Sequence, residues 1–229
     1  MKTIGLLGGM SWESTALYYR LINEETKRRL GGLHSARLIL YSVDFQEIET
    51  MQSDGDWAAA ADKLADAARR VELAGADFLL ICTNTMHKVA DEVAAAVNIP
   101  LLHLADATAE RIVDARLDTV GLMGTRFTME QDFYKKRLER RGIKVLTPDE
   151  FGREVIHRVI YEELCRGVVR DESRQAFLDI IDDFVRRGAQ AVVEGCTEIG
   201  MLVNGDDTDA PLFDTTSIHA RQAVSVALE

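Results

Sequence analysis

Cysteine is scarce in this chain of 229 residues, which carries only Cys82, Cys165 and Cys196. Three thiols without a regular spacing cannot make a disulfide scaffold, so they are expected to stay reduced. Positive charge is short as well. Lys and Arg number 27 against 38 Asp and Glu, a formal net charge of -11, and nucleic-acid affinity depends on clustered cations. The basic runs at Lys135, Lys136, Arg137 and Arg140, Arg141 alternate with apolar positions at helical spacing, as on a solvated helix face. No apolar run approaches the ~20 residues that cross a bilayer. The first ten residues read as a strand and a glycine turn, without the basic start and small-residue cleavage site of a secretory leader. A cytoplasmic protein with neither a nucleic-acid nor a membrane partner is therefore expected. No C-x-x-C or H-x-x-x-H pair occurs among the cysteines and the five scattered histidines, so no metal site is expected.

What is present is the material of a packed core. Hydrophobic residues are 47% and charged residues 28% of the chain, the balance of a folded globular protein. Apolar strand patterns at 3–7, 36–43, 78–81, 99–103, 119–123, 143–146, 191–194 and 211–213 alternate with helical patterns at 12–30, 57–74, 86–97, 105–116, 128–141, 151–166, 172–187 and 217–228. Residues 44–56 read as an irregular acidic stretch. The alternation predicts an α/β fold of mostly parallel sheets flanked by helices.

A weak internal repeat runs through this succession. Ile4-Gly5-Leu6-Leu7-Gly8 overlies Val120-Gly121-Leu122-Met123-Gly124, and Phe78 to Thr85 overlies Ala191 to Glu198 at nearly the same offset. Two similar lobes related by a pseudo-twofold follow, 1–98 with 208–229 and 99–207. Ligands of such folds bind beyond the carboxyl ends of the strands, which predicts a site in the cleft between lobes. In the overlay Thr83 falls on Cys196, and Cys82 on Gly195.

Three turns carry groups suited to chemistry. Gly8-Gly9-Met10-Ser11 follows a strand and offers backbone N–H groups to an anion, although it lacks both G-x-G-x-x-G and the P-loop lysine. Thr83-Asn84-Thr85 and Cys196-Thr197-Glu198 place hydroxyl, amide and thiol groups where a strand ends. A cysteine at a helix start has its thiolate favoured, so the Cys196 pKa is expected to fall from about 8.5 toward neutrality. Cys165 reads as a small buried hydrophobe. Adjacent residues leaving a strand point to opposite sides, so Cys82 and Thr83 cannot both reach one cleft. Glu198 reads either as a helix-start acid or as a proton-handling partner of Cys196. His87 and His219 read as satisfied or exposed histidines, His103 as interior, and Arg126 as a lone arginine at a helix start.

The segments "GLLGGMSWEST", "CTNTMH", "GLMGT" and "GCTEI", in this order along the whole chain, resemble the cofactor-independent aspartate/glutamate racemase family. The resemblance implies two-lobed α/β subunits, usually homodimeric, in which two cysteines flank the substrate Cα without pyridoxal phosphate or metal. The family's second cysteine corresponds to Cys196, and its first falls on Thr83. A Thr/Cys pair thus stands where members have Cys/Cys. The resemblance also implies a carboxylate cradle of Asn84, Thr85 and Thr197, with Met10, Ser11 and Thr125 nearby, Glu198 beside it, and Gln52 near the substrate side chain. Because the second cysteine of the family acts on the L-enantiomer, L-preference is expected. Neutral Gln52 stands where aspartate-specific members use a basic residue, and either Cys165 or Arg166 replaces a second one, so a neutral substrate such as homoserine stays open. Isomerisation or decarboxylation of a dicarboxylate, and amino-acid binding without catalysis, are the competing functions.

Overall fold

The computed structural model describes residues 1–229. The chain divides into two compact units, Met1–Leu104 with His219–Glu229, and Ala105–Ile218.

In the first unit, β1 (Ile4–Gly8), α1 (Trp12–Leu30), β2 (Leu38–Ser42), α2 (Phe45–Asp54), α3 (Trp57–Leu73) and β3 (Phe78–Ile81) build a parallel sheet of order β2-β1-β3. Every residue of β1 and β3 is buried, as expected for parallel strands covered on both faces. Ser11 caps α1 by accepting from the Ser14 N–H at 3.2 Å, and Lys27, Arg28 and Arg29 complement its last turn. The Ala-rich face of α3 buries Ala60, Ala61, Leu64, Ala67, Ala68 and Val71 against the sheet. That close approach requires Gly5, where a Cβ would lie 2.6 Å from Val71 Cγ1. After β3 a 3₁₀ turn (Thr85–Val89) leads into α4 (Ala90–Ala95).

The second unit contains most of α5 (Leu104–Asp114), then β4 (Thr119–Gly124), α6 (Arg126–Glu130), α7 (Asp132–Glu139), β5 (Lys144–Leu146), α8 (Glu150–Glu162), α9 (Asp171–Arg186), β6 (Ala191–Gly195) and β7 (Leu212–Asp214). Its parallel sheet has the order β5-β4-β6-β7. α8 and α9 bury Ile156, Val159, Ile160, Phe177, Ile181 and Phe184 in one cluster with Met123 and Val192. Gly121 admits the Phe184 ring onto β4 as Gly5 admits Val71 onto β1. α10 (Thr215–Leu228) closes the chain, and its Ala220, Ala223, Val224 and Ala227 join Ile4, Tyr18 and Phe78 in the first unit's second apolar cluster.

Several elements depart from the sequence expectation. The strand expected at 99–103 is a single parallel bridge, Leu79 to Leu101, with Leu79 N–H donating to Pro100 O and Leu102 N–H to Leu79 O at 2.9 Å each. Those bonds hold residues 100–104 in the first unit, whereas pairing with β6 holds 212–214 in the second, so the units part at 104 and 218 rather than at 98 and 207. The stretch expected to be irregular contains α2, capped by Asp44 and stopped by left-handed Gly55. The helix expected at 128–141 is broken at Gln131, whose extended backbone separates α6 from α7.

The repeat survives at the level of hydrogen-bond register. Ile4 pairs with Phe78 in one sheet and Val120 with Ala191 in the other. The central strand and its neighbour are thus matched residue for residue, and Thr83 and Cys196 occupy equivalent places, each five residues beyond its strand's first paired residue.

Candidate functional site

In the first unit the candidates lie just past the ends of β1 and β3, strands joined through Leu7 and Ile81 and by the Cys82 N–H donating to Leu7 O at 2.9 Å. Gly9, at φ +91°, turns the chain where a Cβ would strike the Val43 carbonyl, and its N–H donates to Thr15 Oγ1 at 2.7 Å. Met10 and Ser11 are buried immediately after it. Cys82 is fully enclosed in an apolar cluster with Leu6, Tyr18, Ile22 and Leu80, and burial pushes its thiol far above the ordinary range. Thr83, one residue on, is partly exposed. Strand parity separates them as expected. Asn84 and Thr85 are buried beyond Thr83. Gln52 of α2 donates through Nε2 to the Sδ of Met86, the residue after Thr85, at 3.0 Å.

In the second unit β4 and β6 end side by side on a glycine pair. A Cβ on Gly124 would lie 2.8 Å from Gly195 O, and one on Gly195 would lie 2.7 Å from Met123 O. Thr125 and Cys196 emerge from these neighbouring ends, both buried. Thr125 caps α6 by accepting from the Thr128 N–H at 3.3 Å, as Ser11 caps α1. Cys196 has extended backbone and precedes a 3₁₀ turn (Thr197–Met201), with Thr197 and Glu198 buried beside it.

The Cys196 thiol donates to Glu198 Oε2 at 3.0 Å. Its pKa is raised well above the ordinary thiol value, first by burial, then by the negative charge of Glu198 and by the neighbouring Cys165 thiol. This overturns the expected lowering. There is no long helix behind Cys196 whose dipole would favour a thiolate, and an acid sits where a cation would be needed. The resting group is a thiol held against a carboxylate, so Glu198 is a hydrogen-bond partner of Cys196 and not merely a helix-start acid.

Sequence reasoning passed over Glu194, and read Cys165 as a small buried hydrophobe and His87 as a satisfied or exposed histidine. Cys165, in the 3₁₀ turn Leu164–Arg166, packs against the same apolar cluster as Cys196, while Arg166 is exposed. Glu194, in the buried strand β6, is paired in register with Asp214. Its Oε1 has no hydrogen-bond partner, and burial followed by the Asp214 charge pushes its carboxyl up to about 8. The visible signal was a lone acid inside "AVVEGC". His87 is buried and its Nδ1 lies 2.7 Å from Thr83 O, a contact for which the spacing of four residues was the available clue.

The pattern of the Asp/Glu/Hydantoin racemase family matches residues 7–223. Among solved structures, a protein from Yersinia pestis proposed to be an Asp/Glu racemase is 55% identical, with 100% of both chains covered and a TM-score of 0.94. An aspartate racemase homologue from Pyrococcus horikoshii OT3 is 35% identical, again over 100% of both chains, with a TM-score of 0.86. The broad specificity amino-acid racemase RacX of Bacillus subtilis (strain 168) is 22% identical over 231 residues, 98% of each chain.

Proposed function

Because this chain belongs to the Asp/Glu/Hydantoin racemase family, we propose that it racemises an amino acid through an unequal acid/base pair, Cys196 and Thr83. The observation that carries this reading is the matched register of β1 with β3 and of β4 with β6, which makes the two residues positional equivalents. The Cys196 proton passes to Glu198, 3.0 Å away. The thiolate then takes the α-proton of the L-enantiomer: the Cα–H bond breaks and an S–H bond forms. Asn84, Thr85 and Thr197 hold the α-carboxylate into which the carbanion's charge spreads. The Thr83 hydroxyl donates its proton to the opposite face of Cα and recovers one from water, and Glu198 returns the proton it took to solvent, which restores the starting state.

A threonine hydroxyl is far too weak an acid to rest ionised, so Thr83 can serve as acid but not readily as base. The two enantiomers have equal free energy in water, so kcat/KM for net conversion must be the same in both directions. L-preference therefore shows as exchange. The carbanion forms from L at Cys196, returns there many times, and is inverted only when Thr83 delivers.

The substrate is of the aspartate/glutamate type in this reading. A second reading, a neutral amino acid, is favoured by the side chains themselves, since Gln52 and Cys165 are both uncharged and Arg166 is exposed. The test is a screen of L- and D-amino acids in D2O, read for α-deuteration and for product chirality. Deuterated product of both configurations supports racemisation. Loss of a carboxyl group, a rearranged carbon skeleton, or binding with no exchange contradicts it.

A further inference from the structure

We infer that His87 is a positioning residue, whose ring fixes the Thr83 peptide and thereby aims the Thr83 hydroxyl at the substrate. The inference rests on the racemase reading of Thr83 given above.

The Thr83 carbonyl lies beyond the sheet, whose last bond at this strand end is from the Cys82 N–H to Leu7 O. It is also outside the following 3₁₀ turn, which closes with the His87 N–H donating to Asn84 O at 3.1 Å. The ring of His87 takes it instead, with Nδ1 at 2.7 Å. A carbonyl only accepts, so Nδ1 carries the hydrogen. On the far side of the ring the Leu104 N–H donates to Nε2 at 3.2 Å, which leaves Nε2 as the acceptor. Both nitrogens are thus committed and the ring is neutral. His87 has no free position from which to trade a proton with substrate, so it acts through Thr83.

The ring is itself held. His103 and His219 pack edge-on against it at 4.5 and 5.9 Å between centroids. His219 donates from Nε2 to Leu102 O and accepts the Tyr18 hydroxyl at Nδ1, both at 2.9 Å.

The second unit shows that the fold does not require this brace. The equivalent of His87, four residues beyond Cys196, is Gly200. The 3₁₀ turn there closes on backbone alone, with the Ile199 N–H donating to Cys196 O at 3.2 Å. The side-chain brace is confined to the turn that carries the hydroxyl. The asymmetry has a chemical reason. A thiolate acts through its charge, whereas a neutral hydroxyl donates only from a well-defined distance and angle, and a displacement of about 1 Å can cost ~10²-fold in rate.

The test uses the full-length protein in D2O with the common chiral L-amino acids and L-homoserine, each alone. For any that exchange, it measures the ratio of deuterated D-product to deuterated L-product. That ratio compares delivery from Thr83 with return from Cys196 inside one molecule and does not depend on how much protein is folded. In His87→Leu the ratio should fall by about 10- to 100-fold, with exchange into L retained. His87→Asn, whose amide can still donate to Thr83 O, should recover most of it. An unchanged ratio in His87→Leu, with both products falling together, would overturn the inference. Should that variant not fold, ¹⁵N spectra of the native imidazoles decide: His87 should be the Nδ1–H tautomer, and an Nε2–H tautomer overturns the brace. Absence of exchange by the native protein from every amino acid overturns the racemase reading, and this inference with it.

Discussion

The two units repeat one plan and finish it with different chemistry. In each, a glycine on the central strand admits a helix side chain, Val71 onto Gly5 and Phe184 onto Gly121. In each, a hydroxyl residue caps the helix after that strand, Ser11 or Thr125. Beyond the neighbouring strand the likeness stops. The first unit presents a partly exposed Thr83 whose peptide is tied to a neutral histidine; the second presents a buried Cys196 whose thiol is tied to a carboxylate. Shared backbone register thus preserves where the two residues sit, while the side chains next to them differ; in the proposed mechanism that difference decides in which direction a proton moves readily.

The largest effect should come from removing the thiol. Cys196→Ala is expected to lower α-proton exchange from the L-enantiomer by about 10³-fold or more, while substrate still binds by calorimetry. If the variant exchanges at the native rate, Cys196 is not the base. Next in size, Glu198→Gln should slow exchange about 10²-fold at pH 7. Its rate should climb with pH, because the thiol proton must then be lost to hydroxide rather than to a neighbour. A flat pH profile would count against Glu198 as the acceptor. Thr83→Cys should make the units chemically alike, raising α-deuteration of the D-enantiomer toward that of L, whereas Thr83→Val should abolish inversion and leave deuteration of L with retention. Persistence of inversion in Thr83→Val would remove Thr83 from the mechanism.

The smallest effects concern stability, and they oppose each other between the units. In the first, burial pushes His219 down to about 4. The unfolded chain then binds the extra proton over the window from 6.5 to 4, so stability is present above 6.5 and is lost as pH falls toward 4. In the second, Glu194 is raised from 4.5 to about 8. The folded chain binds the extra proton in that window, so stability is present below 4.5 and is lost as pH rises through 8. Glu194→Gln should flatten the alkaline side of a Tm against pH curve and leave the acid side as it was. If the alkaline loss is the same in both proteins, Glu194 is not its source.

Much of this was legible in the residue pattern. Alternating apolar strands and amphipathic helices identify the α/β class, because parallel strands buried on both faces have to be continuously apolar. The parity of Cys82 and Thr83 followed from strand geometry, and the overlay of "FLLICTNT" on "AVVEGCTE" anticipated the paired register. What could not be read was the environment made by tertiary packing. The expected activation of Cys196 assumed a helix dipole, but burial and the Glu198 charge act in the opposite sense. α2 was hidden because its helical residues are mostly polar, with Ile48 and Gln52 the two that are buried. The partners of His87, a carbonyl four residues back and an N–H seventeen residues on, are likewise set by packing and could not be read.

The central claim, that positional equivalents Thr83 and Cys196 are unequal acid/base groups, is tested most directly by initial rates of α-deuteration of the two enantiomers by the native protein. L should exchange at least about tenfold faster than D, with label accumulating first in unreacted L. Equal initial exchange rates from L and D would contradict it.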